Sequence, residues 1–169
     1  MAFLETERLE LRPVEKDHAE EIQAVNHSDG MRLYGGIHRP SSIPEIEDHI
    51  EETDTIFLSI WNGDDCIGYL GIHQENEISR TEEVFIYLKD SEQGNGYGPE
   101  ALERAIEYCF DELNLHKVAA RAYEHNEPSQ KMLERLGFQR EGRFREEHHK
   151  QGEYRDILRY GLLRDEFQD

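Results

Sequence analysis

Three glycines at alternate positions, Gly94, Gly96 and Gly98, stand between a strand-like and a helix-like run in SEQGNGYGPEALERAIEYCF, residues 91–110. Glycine weakens regular structure and is used where the backbone turns left-handed or must lie close to something. A loop that leads from a strand into a helix N-terminus points N–H groups outward, with the positive end of the helix dipole behind them. Alternating glycines let several of those groups converge with no side chain in the way, an anion site suited to phosphate. The competing reading is an ordinary glycine turn. Two familiar phosphate loops do not fit. A Walker loop needs Gly-Lys-Ser or Gly-Lys-Thr, and a Rossmann fingerprint needs a third glycine where Pro99 stands.

The pattern around the loop predicts one α+β domain over residues 1–169. LELRPV (9–14) reads as a strand, followed by a helix opened by Asp17 and running through Ile22 and Val25. MRLYGGIHRPSS reads as irregular, and Pro44 starts a short helix. TIFLSIW (55–61) and CIGYLGIH (66–73) are strands joined by the hairpin signal NGDD, and EEVFIYL (82–88) continues the meander. Pro99 suits a first helical position. Ala101, Leu102, Ala105, Ile106, Cys109, Phe110 and Leu113 then form an apolar stripe at helical spacing. KVAARAY (117–123) is a strand, PSQKMLERLGF a helix stopped by Gly137, and two last strands (about 138–147 and 153–163) turn at Gln151 and Gly152. Strands mostly in a meander with helices on the faces give a layered, mixed, mostly antiparallel sheet of about seven strands with about four helices. The strand–helix–strand unit around the loop favours a parallel pair within it.

Charge narrows the partners. Thirty-eight acidic against nineteen basic residues give −19, and only five of the basic residues are lysines. Such a chain is a poor partner for nucleic-acid phosphates, whose binding depends on basic side chains. Acid spread over nearly every segment suits a saline, halophilic cytoplasm, where screening is short-ranged; attraction of a basic substrate is the alternative. No apolar run approaches the ~20 residues of a membrane span, and no secretory signal opens the chain, so a cytoplasmic location is expected. Cys66 and Cys109 are too few for a disulfide framework. Nine histidines show no metal-ligand spacing, so no metal is expected.

Gln93-Gly94-Asn95-Gly96-Tyr97-Gly98 resembles the Q/R-x-x-G-x-G/A signature of the GNAT superfamily of N-acetyltransferases, with Gln93, Gly96 and Gly98 at the matching positions. LETERLELRPVEKDHAEEI, LNLHKVAARAYEHNEPSQKMLERLGFQREG and GEYRDILRYGLLRDEF resemble the ribosomal-protein N-terminal acetyltransferase group, in order along nearly the whole chain. The resemblance implies a GNAT fold in which the amides of residues 94–98 wrap the pyrophosphate of acetyl-CoA. It also implies that Ile86, Tyr87 and Leu88 splay away from strand 117–123 to admit the pantetheine arm, which pairs like an added strand. Asn126 matches a family asparagine near that arm, and Tyr34 lies where relatives form part of the acceptor pocket.

Direct transfer needs a neutral amine and a proton for the leaving thiolate. Glu83 matches an acidic residue that opens this strand in relatives, and alternation places it on one face with Phe85 and Tyr87. A raised pKa would suit a general base; a solvated strand-end charge is the other reading. The resemblance makes Ser129 a proton donor to the thiolate, against simple helix capping. The slot that holds a tyrosine in many relatives is Met132. Neutralising an α-amine (pKa near 8) at pH 7 costs about 1 kcal/mol, against about 4–5 kcal/mol for a lysine-like or polyamine nitrogen. The expected activity is therefore acetyl transfer from acetyl-CoA to a protein or peptide N-terminal α-amine. Polyamine acetylation and a non-catalytic acyl-CoA-binding module are the alternatives, and a homodimer is possible for any of them.

Overall fold

In the computed structural model, which describes residues 1–167, the predicted meander forms the centre of one sheet. Its strands are β1 (Leu4–Glu5), β2 (Glu10–Pro13), β3 (Ile56–Asn62), β4 (Asp65–Asn76), β5 (Thr81–Leu88), β6 (Lys117–Tyr123), β7 (Gln139–Lys150) and β8 (Glu153–Leu163). They lie in the order β1-β2-β3-β4-β5-β6-β8-β7. All neighbours are antiparallel except β5 and β6, the parallel pair expected from the strand–helix–strand unit. The helices are α1 (Ala19–Asn26), α2 (Asp29–Tyr34), α3 (Ile43–Glu52), α4 (Tyr97–Asp111) and α5 (Glu127–Arg135).

Among the described residues there are eight strands and five helices, one more of each than the expected seven or so and four or so. The added strand, β1, is two residues long and pairs Leu4 with Leu11. The added helix, α2, occupies part of the segment read as irregular. Ser28 caps it by accepting from the Met31 amide, which offsets its short length. Asp17 does not open α1: Glu15 caps a 3₁₀ turn, Lys16–His18, that leads into it. Pro99 is the third residue of α4, not the first. Gly96 is the N-cap, in the left-handed region at φ 79°. Gly137 (φ 99°) stops α5, and Gln151 and Gly152 (φ 50° and 84°) turn β7 into β8, as expected.

Alternation assigns the two faces. Val84, Val118, Ala120 and Ala122 are buried with the α4 stripe Ala101, Leu102, Ala105, Ile106, Cys109 and Phe110 in the main core, against which Ile86 and Leu88 pack. Burial pushes the Cys109 thiol up to about 12, and Cys66 and Cys109 are both buried free thiols. The other face carries Phe57, Tyr69, Phe85 and Tyr87, packed with Val25 of α1 and Met31 of α2. Among the described residues no helix is long and apolar enough to cross a membrane.

Candidate active site

Strands β5 and β6 pair only from Thr81↔Lys117 to Glu83↔Ala119. Beyond Glu83 each strand keeps its outer neighbour, β5 with β4 as far as Gly68↔Leu88 and β6 with β8 as far as Tyr123↔Ile157. The inner edges of both are open, so the sheet divides at Glu83 into a V whose walls are Val84–Leu88 and Ala120–Tyr123. An extended, amide-rich chain fits an unpaired backbone edge as an additional strand does.

The glycine loop sits at the open end of β5. Among the described residues the amides of 94–98 donate to no protein acceptor. They lie at the N-terminus of the fifteen-residue α4, where unsatisfied donors and the helix dipole favour an anion. Gly94 and Gly96 take positive φ (82° and 79°), as the glycine spacing anticipates. Gly98 is different: its φ is ordinary, and a Cβ there would meet the Met132 Sδ at 3.5 Å, an ordinary contact. Met132 thus closes the loop against α5 as packing.

Two side chains hold the loop from outside. Arg8 donates through Nη1 to the Asn95 carbonyl at 3.0 Å and through Nε to Glu100 at 2.7 Å, and its guanidinium lies 4.7 Å from the Tyr97 ring centroid. The Tyr97 hydroxyl accepts from Asn62 Nδ2 at 3.0 Å, so Tyr97 is an anchored residue and not a free surface aromatic. Gln93 Nε2 lies 3.5 Å from both the Leu88 carbonyl and Asp90 Oδ1, and Asn95 Nδ2 donates to the Glu92 carbonyl at 3.3 Å. A cleft of about 480 Å³ beside the loop is lined by Arg8, Gly96, Pro99, Glu100 and Arg104.

Glu83 stands at the apex of the V on the face shared with Phe85 and Tyr87. Besides that aromatic face it meets two arginines. Oε2 accepts from Arg121 Nε at 3.0 Å and from Arg159 Nη1 at 3.3 Å. Glu75 of β4 lies within hydrogen-bonding reach and is gripped at both oxygens by Arg159, at 2.7 and 2.6 Å. Burial raises the Glu83 pKa; Arg121 opposes this, and the neighbouring Glu75 adds to it. Arg159 holds Glu75 down at about 2. Two carboxyls sharing one arginine cluster thus separate into a charged partner and one readier to carry a proton. The register Arg121↔Arg159 between β6 and β8 brings the two guanidiniums together.

Ser129 does not cap α5. Asn126 does: its Oδ1 accepts from the Ser129 amide at 3.3 Å, which leaves the Ser129 hydroxyl outside the cap. Tyr34 stacks on His125 with ring centroids 5.3 Å apart, and His125 Nε2 donates to the Leu33 carbonyl at 2.8 Å. Tyr123, on the β6 wall, shares a 2.9 Å hydrogen bond with His148 Nδ1. Burial pushes its hydroxyl up to about 12, with Tyr87 contributing from the opposite wall. The Tyr87 hydroxyl accepts from the Gly36 amide at 3.4 Å.

A model of the acetyltransferase (GNAT) domain matches residues 8–139, most of the chain. The protein belongs to the GNAT acetyltransferases. It is 27% identical to the uncharacterized N-acetyltransferase p20 of Bacillus licheniformis, over 99% of each chain. It is 31% identical to YdaF of Bacillus subtilis, named provisionally as a ribosomal N-acetyltransferase, over 64% of this chain and 59% of that one. The crystal structure of spermidine N-acetyltransferase from Vibrio cholerae in complex with CoA and spermine superposes with a TM-score of 0.86 at 27% identity, covering 95% of this chain and 98% of that one. This GNAT chain is therefore an N-acetyltransferase with acetyl-CoA as its co-substrate. The V offers an unpaired backbone edge, and the α4 N-terminus offers amides without a protein acceptor among the described residues. Sequence reasoning missed Arg8, Glu75, Arg121 and Arg159. Arg8 lies within the quoted TERLELRP stretch, whereas the other three meet only through strand register.

Proposed function

We propose that this GNAT enzyme acetylates the N-terminal α-amine of a protein or peptide by direct transfer from acetyl-CoA. Loop amides 94–98 take the pyrophosphate, and the open edge at Ile86, Tyr87 and Leu88 takes the pantetheine amides, with Asn126 beside that arm. Glu83, at the apex of the V, receives the amine proton, and the Ser129 hydroxyl relays a proton from water to the thiolate, so that it ends as a neutral hydroxyl. Tyr34 contributes to the acceptor side.

The observation that carries the choice of acceptor is the state of the carboxylates at the apex. Glu83 is tied to Arg121 and Arg159, and Glu75 to Arg159 with Arg121 3.9 Å away. A polycation would need several free carboxylates spaced to meet its ammonium groups, and paired ones offer little net field. An α-amine asks less of the base, by about 3 kcal/mol at pH 7 from the pKa difference. The likeness to spermidine N-acetyltransferase supports polyamine acetylation as the second reading.

An acetyl-CoA turnover screen in high salt, across N-terminal peptides, polyamines and small amines, tests this directly. Peptides should give the largest kcat/KM. Turnover confined to polyamines overturns the acceptor assignment, and no thiol release with any amine leaves an acyl-CoA-binding module.

A further inference from the structure

One part of the acceptor side runs against the acidity of the chain. The closed end of the β7–β8 hairpin places His148, Lys150 and Arg155 on the face shared with Tyr123, with His148 opposite Arg155 in the ladder. Lys150 is 4% exposed. Its Nζ donates to the Met31 carbonyl at 3.2 Å and lies 5.6 Å from the Tyr123 ring centroid. Among the described residues no carboxylate pairs with it, although lysine is rarely buried without an opposite charge.

Other donors surround this unbalanced cation. Exposed His38 packs edge-on against His148 at 5.7 Å between ring centroids. Lys150, His148 and His149 all lie close enough to His38 to disfavour its protonation, behind the larger effect of burial. Among the described residues, His125 Nδ1 and Arg155 Nε are buried with no hydrogen-bond partner. Glu153, the carboxylate that reaches the group, is held by Arg155 Nη2 at 2.9 Å. In a chain with 38 acidic residues, a face that gathers three histidines, a buried lysine and an arginine with one committed carboxylate is prepared for an anion.

We infer that this end of the acceptor face receives a carboxylate of the substrate itself, so that the preferred acceptor is a peptide with Asp or Glu within its first two residues. The inference rests on the α-amine reading above and narrows it. His38 and His148 form the rim that meets the carboxylate, and the Lys150 ammonium lies behind them, its proton loosened by burial and held more firmly once an anion is bound.

The test is kcat/KM for thiol release by the full chain at one fixed ionic strength. The acceptors are peptides identical except for Asp, Ala or Lys at residue 2, together with free aspartate and spermidine. The Asp peptide should exceed the Ala peptide about tenfold or more, the worth of one charge-assisted hydrogen bond, and the Lys peptide should be poorest. His38→Gln, at an exposed position that does not threaten the fold, and Lys150→Met should bring the Asp-to-Ala ratio towards one. Equal turnover of the three peptides overturns the inference and leaves N-terminal acetylation standing, with Lys150 merely closing the end of α2. Free aspartate outrunning every peptide overturns the peptide part. Spermidine turned over with no peptide active overturns both the inference and the reading beneath it.

Discussion

Arg8 and Glu100, ninety-two positions apart, are joined through side chain and backbone at once. The Arg8 Nε donates to Glu100 Oε2 at 2.7 Å, and the Arg8 amide donates to Oε1 at 3.0 Å. Thr6 adds its hydroxyl at 2.5 Å. Glu100 lies in the first turn of α4, where its charge suits the helix dipole but would repel a phosphate. Arg8 neutralises it and pins the Asn95 carbonyl away from the amides. Arg8→Ala should therefore raise the calorimetric Kd for CoA about tenfold, the scale of a half-exposed charge-assisted contact. Arg8→Lys should recover only part of this, since it lacks the fork that reaches two acceptors. Unchanged CoA affinity in folded Arg8→Ala would show that the loop holds its shape unaided.

At Gly96 the left-handed backbone sets the penalty. Gly96→Ala costs about 1–2 kcal/mol from φ alone, and its Cβ would stand 3.3 Å from Arg8 Nη2. Gly96→Glu should in addition abolish CoA binding by placing a carboxylate among the phosphate-facing amides. Thermal melts and calorimetry on both variants separate the two effects.

Glu83→Gln should lower kcat/KM most at low pH, where neutral amine is scarce, within the ~10²–10⁴-fold range of general-base catalysis. Ser129→Ala should slow the chemical step and leave CoA affinity nearly intact. Both folded variants turning over substrate within about twofold of the parent, well short of that range, would remove both residues from the chemistry.

The Glu75–Glu83 pair makes a separate prediction about acid stability. The Glu75 pKa falls from 4.5 to about 2 on folding. Its contribution is therefore complete above about 4.5 and is lost as the pH drops towards 2. Glu83 is shifted upward, so its contribution has the opposite sign: present below its unfolded value and lost as the pH rises through the folded one. The loss of melting temperature between pH 4.5 and 2 should be smaller in Glu75→Gln than in the parent. An identical acid limb in the two proteins would mean that the Arg159 grip adds nothing to stability.

With −19 net charge, molar potassium chloride should raise the melting temperature by screening self-repulsion. A protein most stable at low ionic strength would point instead to acidity directed at a cationic partner.

The parts of the fold legible in the sequence are those fixed locally. The meander β3–β5 shows in apolar runs around a glycine turn, and α4 in its apolar stripe. Helix α2 escaped because six residues carry little periodicity, although Ser28 standing three positions before Met31 is a capping signal. Strand β1 is two residues long and depends on pairing with β2. The glycine loop was legible because positive φ has few residue types to choose from. The arginine cluster was not. Arg121 and Arg159 meet Glu83 only once β6 has crossed over to lie between β5 and β8, and no local pattern encodes that register.

The V at Glu83 has a consequence beyond catalysis. A sheet of eight strands ordinarily exposes unpaired backbone only along its two outermost strands, and here those are β1 and β7. Parting β5 from β6 opens two further rims in the middle of the sheet, flanked by apolar walls. An unsatisfied rim of this kind is a template for any extended segment, including one from a neighbouring molecule. The rail proposed above for the pantetheine arm is thus also the point where the empty enzyme is most open to mispairing. Occupancy by CoA would act as a plug as well as a reactant, linking the solubility of the protein to the supply of its co-substrate.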